Sequence, residues 1–124
     1  MSAALWAGVA VFGGLGAVAR LLMEHGVRRQ LTMAFPVGTI TVNVSGALLL
    51  GLLSGLGVSH HAAVLIGTGF LGAYTTFSGW MLETRSLAQD RRMGAAAGNI
   101  GISVVLGLLA AVAGHWLGRM IACY

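Results

Sequence analysis

The sequence predicts an all-α integral membrane protein with four transmembrane helices, and three observations support this fold class. Hydrophobic residues make up 57% of the chain and charged residues only 8%, which leaves too little polar surface for a soluble domain. The apolar residues form four stretches, each close to the ~20 residues that span a ~30 Å hydrocarbon core. The seven arginines flank these stretches, as interfacial charges that set topology do. Residues 1–124 are therefore predicted to form a single transmembrane domain.

The predicted helices cover about residues 3–23, 37–58, 62–82 and 95–117. The first stretch has no basic residue ahead of it and has a glycine-rich middle, so we interpret it as a retained helix and not as a secretory signal. The second begins just after Pro36, the only proline. A short connection, SHH, separates it from the third, and a polar connection, ETRSLAQDRRMG, leads to the fourth.

The third stretch contains a segment, TGFLGAYTTFSGW from Thr68 to Trp80, that should loosen its own helix. Non-helical backbone at membrane depth is tolerated only where it is buried in protein or lines a wet cavity. Such breaks can present free carbonyls to cations and free N–H groups to anions. The segment therefore predicts either a functional break or a kinked helix whose carbonyls are bonded by the hydroxyls of Thr75, Thr76 and Ser78.

Asn43, Phe77 and Trp80 are the side chains at membrane depth that we single out first. A carboxamide so far from either interface must find partners, which makes Asn43 either a bond between helices or part of a site. Phe77 and Trp80 are three residues apart and share a face if the helix resumes there, so their electropositive ring edges can line an anion route. Core packing is the alternative for both rings. Asn99 and Ser103 form a short polar track on the fourth helix.

Several classes of function lack the residues they need. No acidic residue lies in the middle of a hydrophobic stretch, where proton-coupled transport usually requires one. The four histidines show no metal-ligand spacing, and there is no nucleophile with a base, no phosphate loop and no catalytic carboxylate pair. We therefore do not expect an enzyme. We do not expect a nucleic-acid-binding protein either, because the arginines behind the net charge of +4 lie at helix ends.

Small residues spaced four apart mark faces where membrane helices pack closely. The chain has more of these faces than the helices of one four-helix bundle obviously need for packing, so we expect the chain to associate with itself or with a partner. The stripes are Thr39, Asn43, Ala47, Gly51 and Gly55; Asn99, Ser103, Gly107 and Ala111; and Ala110, Gly114 and Gly118.

Three segments together resemble the signature of one known family: GGLGAVARLL (13–22), PVGTITVNVSGALLLG (36–51) and TGFLGAYTTFSGWMLE (68–83). They are similar, in order and spacing, to segments of the CrcB/Fluc family of fluoride channels. The resemblance implies an antiparallel dual-topology dimer in a cell (inner) membrane, with two fluoride pores between the subunits. Fluoride would leave the cytoplasm passively, without ATP or proton coupling.

The resemblance also implies roles for particular residues. Asn43 corresponds to the pore asparagine, Phe77 to the first ring of an aromatic box, and Ser103 to a position on the polar track. Thr39, one turn before Asn43, is included among the candidate pore residues. Carbonyls of Gly72 and Thr75 fall where a structural Na⁺ is held at the dimer centre, and Arg20 matches a structural arginine. The chain departs from the family pattern at Trp80, in place of the second box phenylalanine, and where Gly107 and Ala111 replace hydroxyls.

The arginines predict the orientation of the chain. If the four helices cross in order, six arginines lie on one side and only Arg119 on the other, so both termini are predicted to lie outside the cytoplasm. An antiparallel dimer then needs a paralogous chain of opposite orientation, unless packing overrides the bias and a homodimer forms. Two further interpretations stay open: a small multidrug-resistance-type exporter, whose first-helix glutamate this chain lacks until Glu24, and a structural membrane subunit without its own pore.

Overall fold

The computed structural model describes residues 2–30 and 35–123, and within these residues the fold is all helical with no strand. The all-α membrane fold predicted from the sequence is confirmed. Three of the helices, Ala3–Gln30, Val37–Leu56 and Met93–Ala122, are each long and apolar enough to cross a membrane. The elements are α1 (Ala3–Gln30), α2 (Val37–Leu56), α3 (His60–Ala62), a π-helical segment (Ala63–Leu71), α4 (Gly72–Tyr74), α5 (Ser78–Gln89) and α6 (Met93–Ala122).

The first and last helices are longer than the predicted membrane segments. α1 continues to Gln30, seven residues beyond the expected end at Met23, and α6 begins at Met93 and ends at Ala122. A helix rises about 1.5 Å per residue, so both exceed the thickness of a ~30 Å hydrocarbon core. Their polar ends, which include Arg28 and Arg119, are helical extensions of the transmembrane parts.

Pro36 and Gly57 set the two ends of α2. Pro36, with φ of −75°, immediately precedes the helix, where its missing N–H removes no helical hydrogen bond. Gly57 closes the helix in the left-handed conformation at φ 65°, which a residue without Cβ adopts readily. These two residues limit α2 to 20 residues, which is the length of one membrane crossing.

α2 and α6 form the most extensive helix pair, and small residues allow the close contact. A Cβ atom at Gly51 would collide with the Ala111 carbonyl, and one at Gly114 with the Leu48 carbonyl. Gly55 and Gly118 are similarly crowded, so the prediction of packed faces is confirmed for these members of the stripes. Gly107 has no atom near the position of its missing Cβ, so the face it shares with Ser103 is open in this chain.

α1 packs against the π-helical segment, α4 and α2, while α5 packs against α6. The buried apolar centre is small and consists of Val42, Leu71 and Tyr74, with Ala19 and Phe70 packed against it. The Tyr74 hydroxyl lies 2.9 Å from the Ser45 hydroxyl, which satisfies both groups inside the bundle. Long apolar side chains such as Leu108 and Val112 point outward and are suited to contact with lipid.

Candidate functional site

The stretch predicted as the third membrane segment is non-helical between Tyr74, where α4 ends, and Ser78, where α5 begins. Thr75 has an extended backbone, with φ −81° and ψ 160°, so the helix cannot continue through it. The backbone of Thr76 bonds to the side chain of Asn43 on α2: the Thr76 N–H donates to Asn43 Oδ1 at 2.8 Å, and Asn43 Nδ2 donates to the Thr76 carbonyl at 2.9 Å. One carboxamide therefore satisfies both backbone groups of Thr76.

The hydroxyl of Thr76 stabilises the first turn of the helix that follows the interruption. Its Oγ1 accepts a hydrogen bond from the Gly79 N–H at 3.0 Å, as an N-terminal helix cap does. In an uninterrupted helix the N–H groups of Thr76 and Gly79 would donate to the carbonyls of Gly72 and Thr75, four residues earlier. Because both N–H groups donate to side chains, the carbonyls of Gly72 and Thr75 lose their helical donors.

Phe77 and Trp80 form an edge-to-face aromatic pair directly after the interruption. Their ring centroids are 5.8 Å apart and the ring planes are inclined by 78°. This geometry places the electropositive edge of one ring on the electronegative face of the other. Phe77 is 70% exposed on the surface of the chain, so most of its ring is available to a neighbouring molecule or ion.

Two open grooves meet at Asn43 and Trp80. The first, of about 350 Å³, is lined by Asn43, Gly72, Thr75, Phe77 and Trp80 together with apolar residues of α2 and the π-helical segment. The second, of about 300 Å³, is lined by Asn43, Trp80, Ser103, Val104, Gly107 and Leu108. We call them the break groove and the α6 groove. The structure thus brings together Asn43, Gly72, Thr75, Phe77, Trp80 and Ser103 from the predicted set.

Trp80 is tied to Asn99 of α6 through its side chain and its backbone. The indole N–H donates to the Asn99 carbonyl at 3.4 Å, so this N–H is already used within the chain. The Thr84 hydroxyl donates to the Trp80 carbonyl at 2.9 Å and accepts from Asn99 Nδ2 at 2.9 Å. Ser103 Oγ, one turn further along α6, is buried without a hydrogen-bond partner in the described part of the chain.

Two of the predicted residues line neither groove. Thr39 is 2% exposed, and its hydroxyl donates to Glu83 Oε1 at 2.6 Å. Arg28 lies 3.9 Å from the same carboxylate oxygen. Arg20 is half-buried on α1, apart from the residues that line the two grooves. Thr39 is therefore placed beside the site, where its hydroxyl bonds to Glu83, and the structural role expected for Arg20 stays a prediction.

Sequence reasoning missed three contributors: Glu83, Thr84 and the backbone of Thr76. Its position at the end of a predicted segment indicates only an interfacial charge for Glu83, yet its carboxylate accepts a hydrogen bond from the hydroxyl of a buried threonine. Its spacing from Trp80, like that of Thr84, places it on the turn after the aromatic pair, which was the available signal. Nothing local to Thr76 reveals that its backbone bonds to a residue 33 positions earlier.

The two grooves have no acidic, basic or histidine side chain among their lining residues. Across residues 2–30 and 35–123, no group of three or more histidine, cysteine, aspartate or glutamate side chains is arranged to hold a metal ion. The polar groups that the grooves offer are a carboxamide, hydroxyls and backbone groups. Such groups bind a small ion by weak, distributed contacts and not by one strong charge.

Comparison with known proteins gives a consistent result over nearly the whole chain. Residues 7–115 match the family model described as "CrcB-like protein, Camphor Resistance (CrcB)". The chain is 53% identical over 120 residues to a protein of Mycobacterium tuberculosis named "Fluoride-specific ion channel FluC 2", covering 97% of this chain and 95% of that protein. It is 42% identical over 112 residues to "Fluoride-specific ion channel FluC 1" of Ligilactobacillus salivarius, covering 90% of this chain and 97% of the relative.

Proposed function

We propose that this chain, which belongs to the CrcB-like family, is a fluoride-specific ion channel that lets cytoplasmic fluoride leave the cell passively. The proposal rests on the two hydrogen bonds between the Asn43 side chain and the Thr76 backbone, because they stabilise a helix break where the two grooves meet. The names of the relatives favour this function over a multidrug-type exporter or a subunit without a pore.

The grooves supply the kind of donors that a small, strongly hydrated anion needs. An amide nitrogen carries two N–H groups, and one of those on Asn43 is committed to the Thr76 carbonyl, so the second is the donor that we assign to fluoride. The edges of Phe77 and Trp80 extend the route on one side, and the hydroxyl of Ser103, which has no partner among the described residues, extends it on the other. Weak donors replace the hydration shell of the ion without holding it too tightly for release.

We propose that the working channel is a dimer. A polar groove at membrane depth must be covered by protein or filled with water, and both grooves are open at the surface of a single chain. The ring of Phe77 lines the break groove and is strongly exposed on the surface of the chain. An antiparallel arrangement, as a homodimer or with a paralogous chain of opposite orientation, would close the grooves into two fluoride routes.

A structural Na⁺ at the dimer centre fits the residues present. The break leaves the carbonyls of Gly72 and Thr75 without the donors of a continuous helix, and carbonyl oxygens are ligands for hard cations. Bound there, the cation would be held by carbonyl oxygens that the break leaves without helical donors. Gly72 and Thr75 line the break groove, so the same feature would fix both the cation and the anion route.

Fluoride efflux from liposomes tests the function directly. The purified chain is reconstituted in vesicles loaded with potassium fluoride, and a fluoride electrode records release after a potassium ionophore is added to balance charge. We expect rapid fluoride release and no comparable release from vesicles loaded with potassium chloride. Proton-driven uptake of a cationic drug without fluoride release would favour the exporter, and neither activity would favour a structural subunit. The cell (inner) membrane is the location that we propose for this multi-pass protein.

A further inference from the structure

We propose that Asn99 is a positioning residue that fixes the orientation of Trp80 at the junction of the break groove and the α6 groove. This inference rests on the proposed function, because it assigns a residue that sets the shape of the same anion route. It starts from a feature that composition does not explain: Asn99 is completely buried in the described structure, yet it lies on a helix that exposes most of its other polar and apolar side chains.

The direction of each hydrogen bond around Asn99 follows from the chemistry of its partners. The Trp80 carbonyl can only accept, so the proton of the Thr84 hydroxyl points at it over 2.9 Å. Thr84 Oγ1 must then accept from Asn99, which places Nδ2 toward Thr84 at 2.9 Å. The carboxamide orientation is thereby determined, and an exchange of its oxygen and nitrogen would leave two acceptors facing each other.

Asn99 holds Trp80 from two directions. Its side chain reaches the Trp80 carbonyl through Thr84, and its own backbone carbonyl accepts the indole N–H at 3.4 Å. The ring of Trp80 is therefore connected to α6 at one end and packed against Phe77 at the other, with a centroid distance of 5.8 Å. The ring edge and not the N–H is left for the route.

Asn99 does not act on the ion itself. Its Oδ1 atom is buried and has no hydrogen-bond partner among the described residues, and it is an acceptor that repels an anion. Its only side-chain donor bond is the one to Thr84, and Asn99 lines neither groove. Its effect on transport must therefore pass through Trp80.

A double-mutant cycle between Asn99 and Thr84, the residue through which the Asn99 side chain reaches Trp80, tests this inference. In the native background, Asn99→Leu and Thr84→Val should each lower fluoride efflux about tenfold, because a small displacement of a lining group costs transport heavily. Thr84→Ser keeps the hydroxyl and should restore efflux. In the Thr84→Val background, where the hydroxyl that links the Asn99 side chain to the Trp80 carbonyl is absent, Asn99→Leu should change efflux less than about twofold, the expected result when two residues act through each other.

A spectroscopic readout separates this inference from the proposed function. In a full-length variant with Trp6→Phe and Trp116→Phe, whose rings are both exposed, Trp80 is the only fluorophore of its kind. Asn99→Leu should shift its emission to longer wavelength, whether or not the chain conducts fluoride. An equal loss of efflux from Asn99→Leu in the native and Thr84→Val backgrounds, or unchanged Trp80 emission, would overturn the positioning role. Absence of efflux from the unmodified chain would instead overturn the proposed function.

Discussion

The carboxamide of Asn43 forms two hydrogen bonds with the backbone of Thr76, one at 2.8 Å and one at 2.9 Å, across the contact between two membrane segments. This pair replaces the bonds that the Thr76 N–H and carbonyl would make in a continuous helix. Asn43 is therefore both the partner that makes the break stable and the amide that lies between the two grooves. The interpretation of Asn43 as a bond between helices and its interpretation as part of a site describe the same side chain.

Replacing Asn43 with leucine should abolish fluoride flux or reduce it at least about tenfold, because the amide donor is lost. The sequence alone predicts that assembly stays largely intact, but the structure leads us to expect lower stability too. Both backbone groups of Thr76 lose their partners, and each buried group left unpaired costs about 1–3 kcal/mol. Efflux assays and thermal unfolding in detergent measure the two effects.

Thr41→Val is the matched control for Asn43→Leu. Thr41 lies on the same helix, and its hydroxyl bonds only to the Val37 carbonyl of that helix. We expect nearly native efflux and a small change in stability from this polar-to-apolar substitution. Native flux in a correctly assembled Asn43→Leu protein would exclude Asn43 from the fluoride route.

Phe77→Ile should impair transport more than stability. The substitution removes the ring edge but keeps much of the apolar volume, and a side chain that is 70% exposed contributes little to packing within the chain. We expect efflux to fall about tenfold with a change of less than about 1 kcal/mol in the free energy of unfolding. Trp80→Phe, which keeps an aromatic edge, should retain activity. Loss of flux in Trp80→Phe with native flux in Phe77→Ile would reverse the roles assigned to the two rings.

Gly114→Ala should prevent normal folding or destabilise the chain by more than about 2 kcal/mol, because its Cβ would collide with the Leu48 backbone on α2. Gly101→Ala on the same helix is the control. No atom lies near its missing Cβ, and alanine is favoured over glycine in a helix by about 1 kcal/mol. Yield of folded protein on size-exclusion chromatography and thermal unfolding compare the two. Equal behaviour of the two variants would show that the α2–α6 contact does not depend on close backbone approach.

Both termini should lie outside the cytoplasm when the chain is expressed alone. In the structure Arg28 of α1 and Arg92, just before α6, line the same cleft, so the arginine-rich ends of the membrane segments gather at one end of the molecule. This common location agrees with the six arginines that the sequence places on one side of the membrane. Reporter fusions at the C-terminus, active only in the cytoplasm or only outside it, measure the orientation. Equal signals from both reporters would contradict the fixed orientation, and full channel activity from the chain alone would make a paralogous partner unnecessary.

The sequence by itself determined the features that depend on local composition. The lengths of the apolar stretches predicted the three long apolar helices, the composition of Thr68–Trp80 predicted a loosened helix there, and the depth of Asn43 marked it as a residue that needs partners. Small residues at Gly51 and Gly114 predicted close packing, because in lipid the approach of two backbones is limited by side-chain size. The residues of the candidate site could therefore be named, with the exception of Glu83, Thr84 and the backbone of Thr76.

The tertiary structure decided which groups bond to each other. The partner of Asn43 is a backbone 33 residues away, Thr39 faces Glu83 and not a groove, and the N–H of Trp80 is used by Asn99. None of these pairings has a sequence pattern, since each depends on the rotation and axial position of one helix against another. Helix periodicity specifies which residues share a face, but only the packing of the helices specifies what that face meets.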